Sequence, residues 1–283
     1  MKYRCIDVHR GRFALGLMCR VLSVSRSGYY AWKSRPRSVR RRHDALLITL
    51  IRDVHKDSKG RYGSPRIYRE LKQRNVLCGR AHIARLMRQA RLRGSAARRR
   101  RPRLPQVDRG TLPNRLQRAF APGPINRTWA ADMTYIRTGE GWLFLAVIMD
   151  LGSRRVIGWA MSARPDTELA LQALEMALAQ RRTSRSLIHH SDRGIHYTNA
   201  RYRKMLETHE LQMSYSALGN CWDNAVVESF FHTLKTEAVR GTHYPTRKEA
   251  KRHLFEFIEV WYNRKRRHSS LGHLSPAEYE SRL

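Results

Sequence analysis

The sequence predicts a two-part chain. An all-α, strongly basic front precedes a mixed α/β rear built on a five-stranded sheet with helices on its faces. Three observations carry this. From residue 122 onward, strand-like and helix-like segments follow in the order β-β-β-α-β-α-β-α. Before it, apolar residues recur at helical spacing in short segments joined by tight turns. The charge is also unevenly placed: residues 1–118 hold 33 basic and 6 acidic residues, net +27, whereas residues 119–283 hold 23 and 17, net +6. The whole chain carries 56 Lys and Arg against 23 Asp and Glu, far beyond what solubility needs, so a polyanion is the expected partner. The near-balanced rear is the better place for chemistry.

Residues 1–36 read as a helix-turn-helix. Leu15, Met18, Cys19 and Leu22 share one helical face, Ser23-Val24-Ser25 makes a turn, and Ser25 can cap a second helix through Trp32. Arg20, Arg26 and Lys33 favour DNA contact over a plain helical hairpin. Residues 37–94 form a second helical unit. Ala45 to Val54 is amphipathic, with Leu46, Leu47, Leu50, Ile51 and Val54 inward. Ser64 is placed as N-cap with Pro65 at the first helical position, and Arg80 to Arg91 forms a further helix on Ile83, Leu86 and Met87. The outer face, Arg66 included, is rich in arginine, as a phosphate-binding surface would be. Residues 95–121, with Arg99 and Arg100 inside a run of four arginines, read as an extended basic connector that tracks a phosphate backbone.

Composition excludes several classes. Cys5, Cys19, Cys78 and Cys221 make no C-x-x-C pair, so a zinc site by spacing is not expected. The longest apolar run, Trp142 to Met149, is eight residues, too short to span a bilayer, and the basic N-terminus lacks the apolar segment of a signal peptide. A soluble, intracellular protein without a membrane partner is expected.

The rear is read as a core over residues 122–240 and a helical segment over 241–283. N-R-T-W-A-A-D-M-T-Y-I is strand-like around Asp132, W-L-F-L-A-V-I-M-D is a strongly apolar strand, and R-V-I-G-W-A-M a third, so close that an antiparallel meander is implied. Thr167 to Arg181 is a helix, Ser186 to Ser191 a fourth strand, Asn199 to His209 a helix and Leu211 to Ser216 a fifth strand. Trp129, Trp142 and Trp159 read as core.

Two carboxylates then stand out. Asp192 follows the short apolar run Leu187-Ile188, and 35 residues separate it from Glu228. Glu228 lies in a segment whose apolar residues, Val227, Phe230, Phe231 and Leu234, suit a helix capped by Asp223 or Asn224. An isolated pair of this kind reads as a capping Asp and a solvated Glu. Asp132 changes the reading, because in a mixed sheet of this order the first and fourth strands are neighbours. That puts both aspartates side by side with the Glu228 helix above them. Three carboxylates do not cluster without a compensating cation, and oxygen-only ligands suit Mg²⁺ or Mn²⁺. His189, His190 and His196 invite a metal reading, but Mg²⁺ prefers oxygen, and His189 and His190 are expected to support the strand end.

The motifs W-A-A-D-M-T-Y-I, H-H-S-D-R-G-I-H-Y-T and D-N-A-V-V-E-S-F-F-H-T-L-K, with their spacing, resemble those of insertion-sequence transposases of the retroviral-integrase superfamily, second-frame products of two-frame bacterial elements. The tail from Phe257 to Tyr279 and the front units resemble the family too, so the likeness spans nearly the whole chain. It implies a ribonuclease-H-like core behind helix-turn-helix modules. It also implies an Asp132, Asp192, Glu228 catalytic and metal-binding triad, with Lys235 seven residues beyond Glu228 touching DNA. The implied reaction is Mg²⁺- or Mn²⁺-dependent cleavage at the element's ends and strand transfer into target DNA. The implied partners are double-stranded DNA and further copies of the chain. The resemblance also admits the upstream-frame product as a partner and a nucleoid-associated, cytoplasmic setting. Arg193, Arg26, Arg66, Arg99, Arg100 and Arg266 are the expected DNA contacts, and Trp222 and Tyr197 are loop residues that DNA could touch. A non-catalytic DNA-binding repressor and a nuclease that cuts without joining are the competing readings.

Overall fold

The computed structural model describes residues 1–34, 39–95, 113–116, 121, 123–216 and 224–283. Three helices open the chain: α1 (Lys2–His9), α2 (Leu15–Val21) and α3 (Arg26–Ser34), packed on Ile6, Cys19 and Tyr29. Ser25 Oγ accepts the Gly28 N–H at 2.9 Å, the capping role its sequence position implies. The first helix was not legible. It buries Ile6 alone, and its order comes from contacts such as the Tyr29 hydroxyl donating to Asp7 at 2.7 Å.

The second unit is α4 (Val39–Asp57), α5 (Ser64–Gln73) and α6 (Arg80–Gln89). Leu47, Ile51, Val54, Ile67, Leu71, Ile83, Leu86 and Met87 are buried as the periodicity requires. Leu46 is not: it is 69 % exposed, flanking the stripe that Leu47, Ile51 and Val54 already fill. The α5 start also shifts by one residue. Gly63 occupies the cap position and Ser64 is already helical, with Pro65 in the first turn, where its missing N–H costs nothing.

The sheet has the order β3-β2-β1-β4-β5, from β1 (Thr128–Thr138), β2 (Gly141–Asp150), β3 (Val156–Ser162), β4 (Ile188–Ser191) and β5 (Gln212–Tyr215). The first three form the expected antiparallel meander, whereas β4 pairs in parallel with both β1 and β5. This is the ribonuclease-H-like arrangement. Alternation along the strands divides the apolar residues between two faces. Trp129, Ala131, Ala146 and Ile148 pack under α7 (Thr167–Gln180), with α8 (Ile195–Thr198) and α9 (Ala200–Thr208) beside it. Gly158 lets α7 lie close, since a Cβ there would stand 2.2 Å from the Ala173 carbonyl oxygen. Ala130, Leu145, Val147 and Met149 pack under α10 (Ala225–Leu234).

Past α10 the chain departs from the sequence expectation. The helix runs on as a π-helical turn, Lys235–Val239. The helix expected from Lys248 to Asn263 is α11 (Arg247–Phe255) followed by a second π-helical stretch, Glu256–Tyr262. A short α12 (Pro276–Glu280), opened by a Ser275–Glu278 capping box, ends the fold. The π-helical turn after α10 turns Glu237 into a junction of three segments. Its carboxylate accepts from Arg266 at 2.9 Å, from Trp261 Nε1 at 3.1 Å and from Arg66 at 3.3 Å, while its carbonyl accepts from Arg61 at 3.0 Å. Tyr62 adds to the joint by donating to the Lys265 carbonyl at 3.0 Å. The second helical unit therefore shares one apolar core with α10 and the C-terminal segment.

Two arginines expected on DNA are engaged here. Arg266 is 7 % exposed and its guanidinium is bound to Glu237, so a phosphate cannot reach it. Arg66 leans on Glu237 and on the Tyr62 ring. Arg267 is likewise inward, on Glu70 at 2.6 Å and on Gln73. Of the basic cluster near the end, Arg264 stays exposed.

Burial pushes the Glu237 carboxyl up, but Arg266, Arg66 and the Trp261 N–H outweigh it and hold it below the ordinary carboxylate range. Its stabilising contribution is therefore present above the unfolded-state pKa and is lost as pH falls through the folded value. Glu237→Gln leaves Arg266 buried without its countercharge. It should cost about 3–5 kcal/mol at neutral pH by urea denaturation. The gap to the unsubstituted chain should narrow once pH falls well below about 4. A gap of the same size in acid and at neutral pH would show that the charge on Glu237 does not hold the junction.

Candidate active site

The register of two strands builds the site. The parallel ladder of β1 and β4 runs Thr128 to Ile188, Trp129 to His189 and Ala130 to His190. Asp132 and Asp192 each lie two residues beyond the last pair, at matching positions on adjacent strands. Asp132 shares the face of Ala130, the face that α10 covers. Its carboxyl lies below the protein surface and accepts the Met133 N–H at 2.7 Å. Asp192 is more exposed, and its Oδ1 accepts the Gly194 N–H at 2.9 Å. Glycine leaves room for this carboxylate: a Cβ on residue 194 would stand 2.8 Å from that same oxygen and push it aside.

The helix is hooked to the strand it serves. Asn224 is 5 % exposed, and its side-chain amide donates to the Ala131 carbonyl at 3.1 Å, one residue from Asp132. The sequence expectation for Asn224 was a cap on its own helix. It stands at the N-cap position but makes no side-chain cap bond: its Nδ2 donates across the fold, and its buried Oδ1, the atom a cap would use, has no partner among the described residues. Asp223, the alternative cap, lies outside the described residues, as do Trp222 and Cys221. Val227, Phe230, Phe231 and Leu234 are buried as expected, which leaves Glu228 on the exposed side of α10, one turn from the strand.

Electrostatics show that these groups act on one another. The Asp132 carboxyl is pushed up to about 7, first by burial and then by the charges of Asp192 and Glu228. The Met133 N–H and Lys235 work in the opposite direction. Among the described residues no group of three or more His, Cys, Asp or Glu side chains is arranged to hold a metal ion as it stands. The donor set nevertheless fits a hard divalent cation, since it is oxygen-only and its central carboxylate is destabilised by like charge that a cation would reverse.

The histidines are structural. His189 is 1 % exposed, paired with the Tyr202 hydroxyl at 3.0 Å, and burial pushes its pKa down to about 3. His190 lies between the Ser214 and Ser216 hydroxyls at 2.9 and 3.1 Å. Tyr197, expected in a loop open to DNA, sits instead in α8 at 3 % exposure, its ring edge-on to Tyr202. Its hydroxyl has no hydrogen-bond partner among the described residues and lies in the field of Asp132 and Asp192.

The basic residues divide by placement. Lys235 is exposed at the start of the π-helical turn, with Nζ 5.0 Å from the centre of the Tyr135 ring. Arg193 lies beside Asp192 and donates to the Ser216 carbonyl at 3.0 Å. Arg26 is exposed at the first residue of α3. Arg99 and Arg100 lie outside the described residues. Of the tryptophans expected in the core, Trp129 is fully buried, and Trp159 is half-buried with its indole N–H on Glu259 at 2.8 Å. Trp142 is 48 % exposed, beside the turn of the β1–β2 hairpin. Tyr135 was missed altogether. Its odd-numbered place in β1, opposite in phase to Asp132, was the available signal.

The integrase core domain family matches residues 125–221, a second integrase core domain family matches 228–283, and an HTH-like domain matches 41–101. Among solved structures, the HTLV-2 integrase catalytic core domain in complex with magnesium overlaps 56 % of this chain and 97 % of its own at 13 % identity, with a TM-score of 0.42. The transposase InsF of insertion sequence IS3A from Escherichia coli is 43 % identical over 286 aligned positions, covering 100 % of this chain and 99 % of that protein. A 31 kDa protein of insertion element IS600 from Shigella sonnei is 41 % identical, covering 94 % of this chain and 98 % of its own length. Identity of that extent, end to end, means that the chain belongs to the IS3-type insertion-sequence transposases, with an integrase core behind an HTH-like domain.

Proposed function

We propose that this transposase cuts and joins double-stranded DNA at Asp132, Asp192 and Glu228, acting on the ends of its element and on a target. The observation that supports it most directly is the pairing of β1 with β4, which sets two aspartates at matching positions under a helix carrying a third carboxylate. Asp132 is the rigid member, embedded in a strand paired on both sides up to Ala130. Asp192 is aimed by the Gly194 N–H. Glu228 comes from the exposed face of α10 and closes the site from above. Bound by these oxygens, Mg²⁺ or Mn²⁺ would activate the attacking oxygen and neutralise the leaving one. The chain then needs no covalent nucleophile: water attacks in cleavage, and a DNA 3′-OH attacks in joining. Lys235 and Arg193 flank the carboxylates and are placed to hold the phosphates on either side of the bond. Arg26 and the basic 95–121 segment with Arg99 and Arg100 add to the grip on DNA. Joining two ends calls for at least two copies of the chain on DNA.

Glu228→Gln keeps size and exposure and removes the charge. Cleavage and joining in Mg²⁺ should fall below detection while DNA affinity is unchanged, and joining at the original rate would remove Glu228 from the site. Gly194→Ala should lower joining by about 10- to 100-fold, as loss of a supporting contact to a metal-binding carboxylate does. Unaltered joining would show that Asp192 does not need that turn. DNA affinity should drop on the order of a thousandfold between about 50 and 200 mM salt, because many phosphates are neutralised. A flat response, read by fluorescence anisotropy, would contradict the phosphate grip.

A further inference from the structure

The β1–β2 hairpin carries a feature that catalysis by the three carboxylates does not use. Strand β4 pairs with β1 only as far as Ala130, so from Met133 to Thr138 β1 is paired by β2 on one side. On one face of this stretch stand Tyr135, 55 % exposed, and Trp142, 48 % exposed. The register sets Tyr135 opposite Phe144 and Trp142 opposite Arg137, so Tyr135 and Trp142 are diagonal neighbours. Their ring centres are 5.0 Å apart and nearly perpendicular, at 81°. Phe144 backs Tyr135 at 6.4 Å. Lys235 reaches the same spot, 5.0 Å from the centre of the Tyr135 ring, and its charge also acts on Asp132. Tyr135 is three residues along the strand from Asp132, about 10 Å at strand rise.

We propose that Tyr135 and Trp142 form a stacking platform for a nucleobase lifted out of the duplex beside the scissile phosphate, with Lys235 and Arg137 holding that nucleotide's backbone. Open sheet edges are ordinarily blunted by charge, and here the edge presents two large half-exposed rings. A protein partner would favour an apolar patch with cations excluded from its centre. This patch is two rings wide and carries a lysine against one of them, a combination that suits a polyanion whose bases have π-faces. A base inside the helix has its faces covered, so only an unstacked one can use the platform.

The inference rests on the DNA-joining reading, and its test separates the two. The full chain is mixed with end-bearing duplexes carrying 2-aminopurine singly at each nucleotide flanking the cleaved bond. In the duplex its fluorescence is already quenched by its stacked neighbours; lifting the base out restores it, and stacking on an aromatic ring quenches it again. This second quenching is expected at one position, for the unsubstituted chain and for Glu228→Gln alike. It should be lost, leaving the complex several-fold brighter, when Tyr135→Ala and Trp142→Ala are combined, and equally with Tyr135→Leu and Trp142→Leu, which keep apolar bulk but remove the rings. Tyr135→Phe should retain it. Duplex affinity by anisotropy should change less than about threefold, and joining should fall on the order of tenfold to a hundredfold, the range base–aromatic stacking supports. Quenching at no position, or undiminished quenching in the Leu variant, overturns the proposal. So does loss of self-association in that variant by sedimentation with quenching intact, which makes the patch a contact between copies. Quenching without any joining by the unsubstituted chain would sink the catalytic reading and leave the platform standing.

Discussion

Bringing like charges together is costly, and this fold does so by construction. Strand β4 is held to β1 and β5 by main-chain bonds, and those bonds allow one register. In it, Asp132 and Asp192 cannot avoid facing the same space, and the Asn224 amide draws the Glu228 helix onto that space. The strain shows in Asp132, whose carboxyl burial and neighbouring charge push up to about 7. Backbone pairing summed over a five-stranded sheet maintains what three carboxylates would not choose. Neighbouring side chains add to the restraint. His189 and His190 are locked on Tyr202 and on two serines, which stiffens the strand that carries Asp192.

The second constraint lies on the far side of α10. Glu237, two residues past Lys235, gathers Arg66 from the HTH-like unit and Arg266 and Trp261 from the C-terminal segment. A π-helical turn at Lys235–Val239 is one extra residue of slack, and such turns recur where a helix must aim side chains in two directions. Here Lys235 faces the carboxylates while Glu237 faces the junction. The second helical unit is therefore fastened to the helix that carries Glu228.

Much of this was legible from the residues. The meander, the α7 stripe and the Val227, Phe230, Phe231, Leu234 face were readable because most of the apolar residues there are buried, in segments of the length and pattern of a strand or a helix. The neighbouring of the first and fourth strands followed from strand order alone. What was lost had physical causes. Helix α1 buries a single apolar side chain, so it leaves no stripe to read. The π-helical turns follow from tertiary contacts and have no periodic signature. Arg266 and Arg267 carry the same charge as a DNA contact, and only the fold reveals that Glu237 and Glu70 are waiting for them. Trp142 sits in a run so apolar that all its members read as core, yet the hairpin end lifts it into solvent. Asn224 was placed at the correct position with the wrong partner: a cap would use its Oδ1, and the fold uses its Nδ2 instead, on the Ala131 carbonyl.

Diffraction from the chain bound to end-bearing DNA and Mn²⁺, collected where manganese scatters anomalously, tests the convergence most directly. Shared coordination predicts anomalous peaks within about 2.2 Å of oxygens from Asp132, Asp192 and Glu228, beside a DNA phosphate. Carboxylates that stay apart around an ion-free gap while DNA is engaged, or manganese held instead by other side chains, would contradict it.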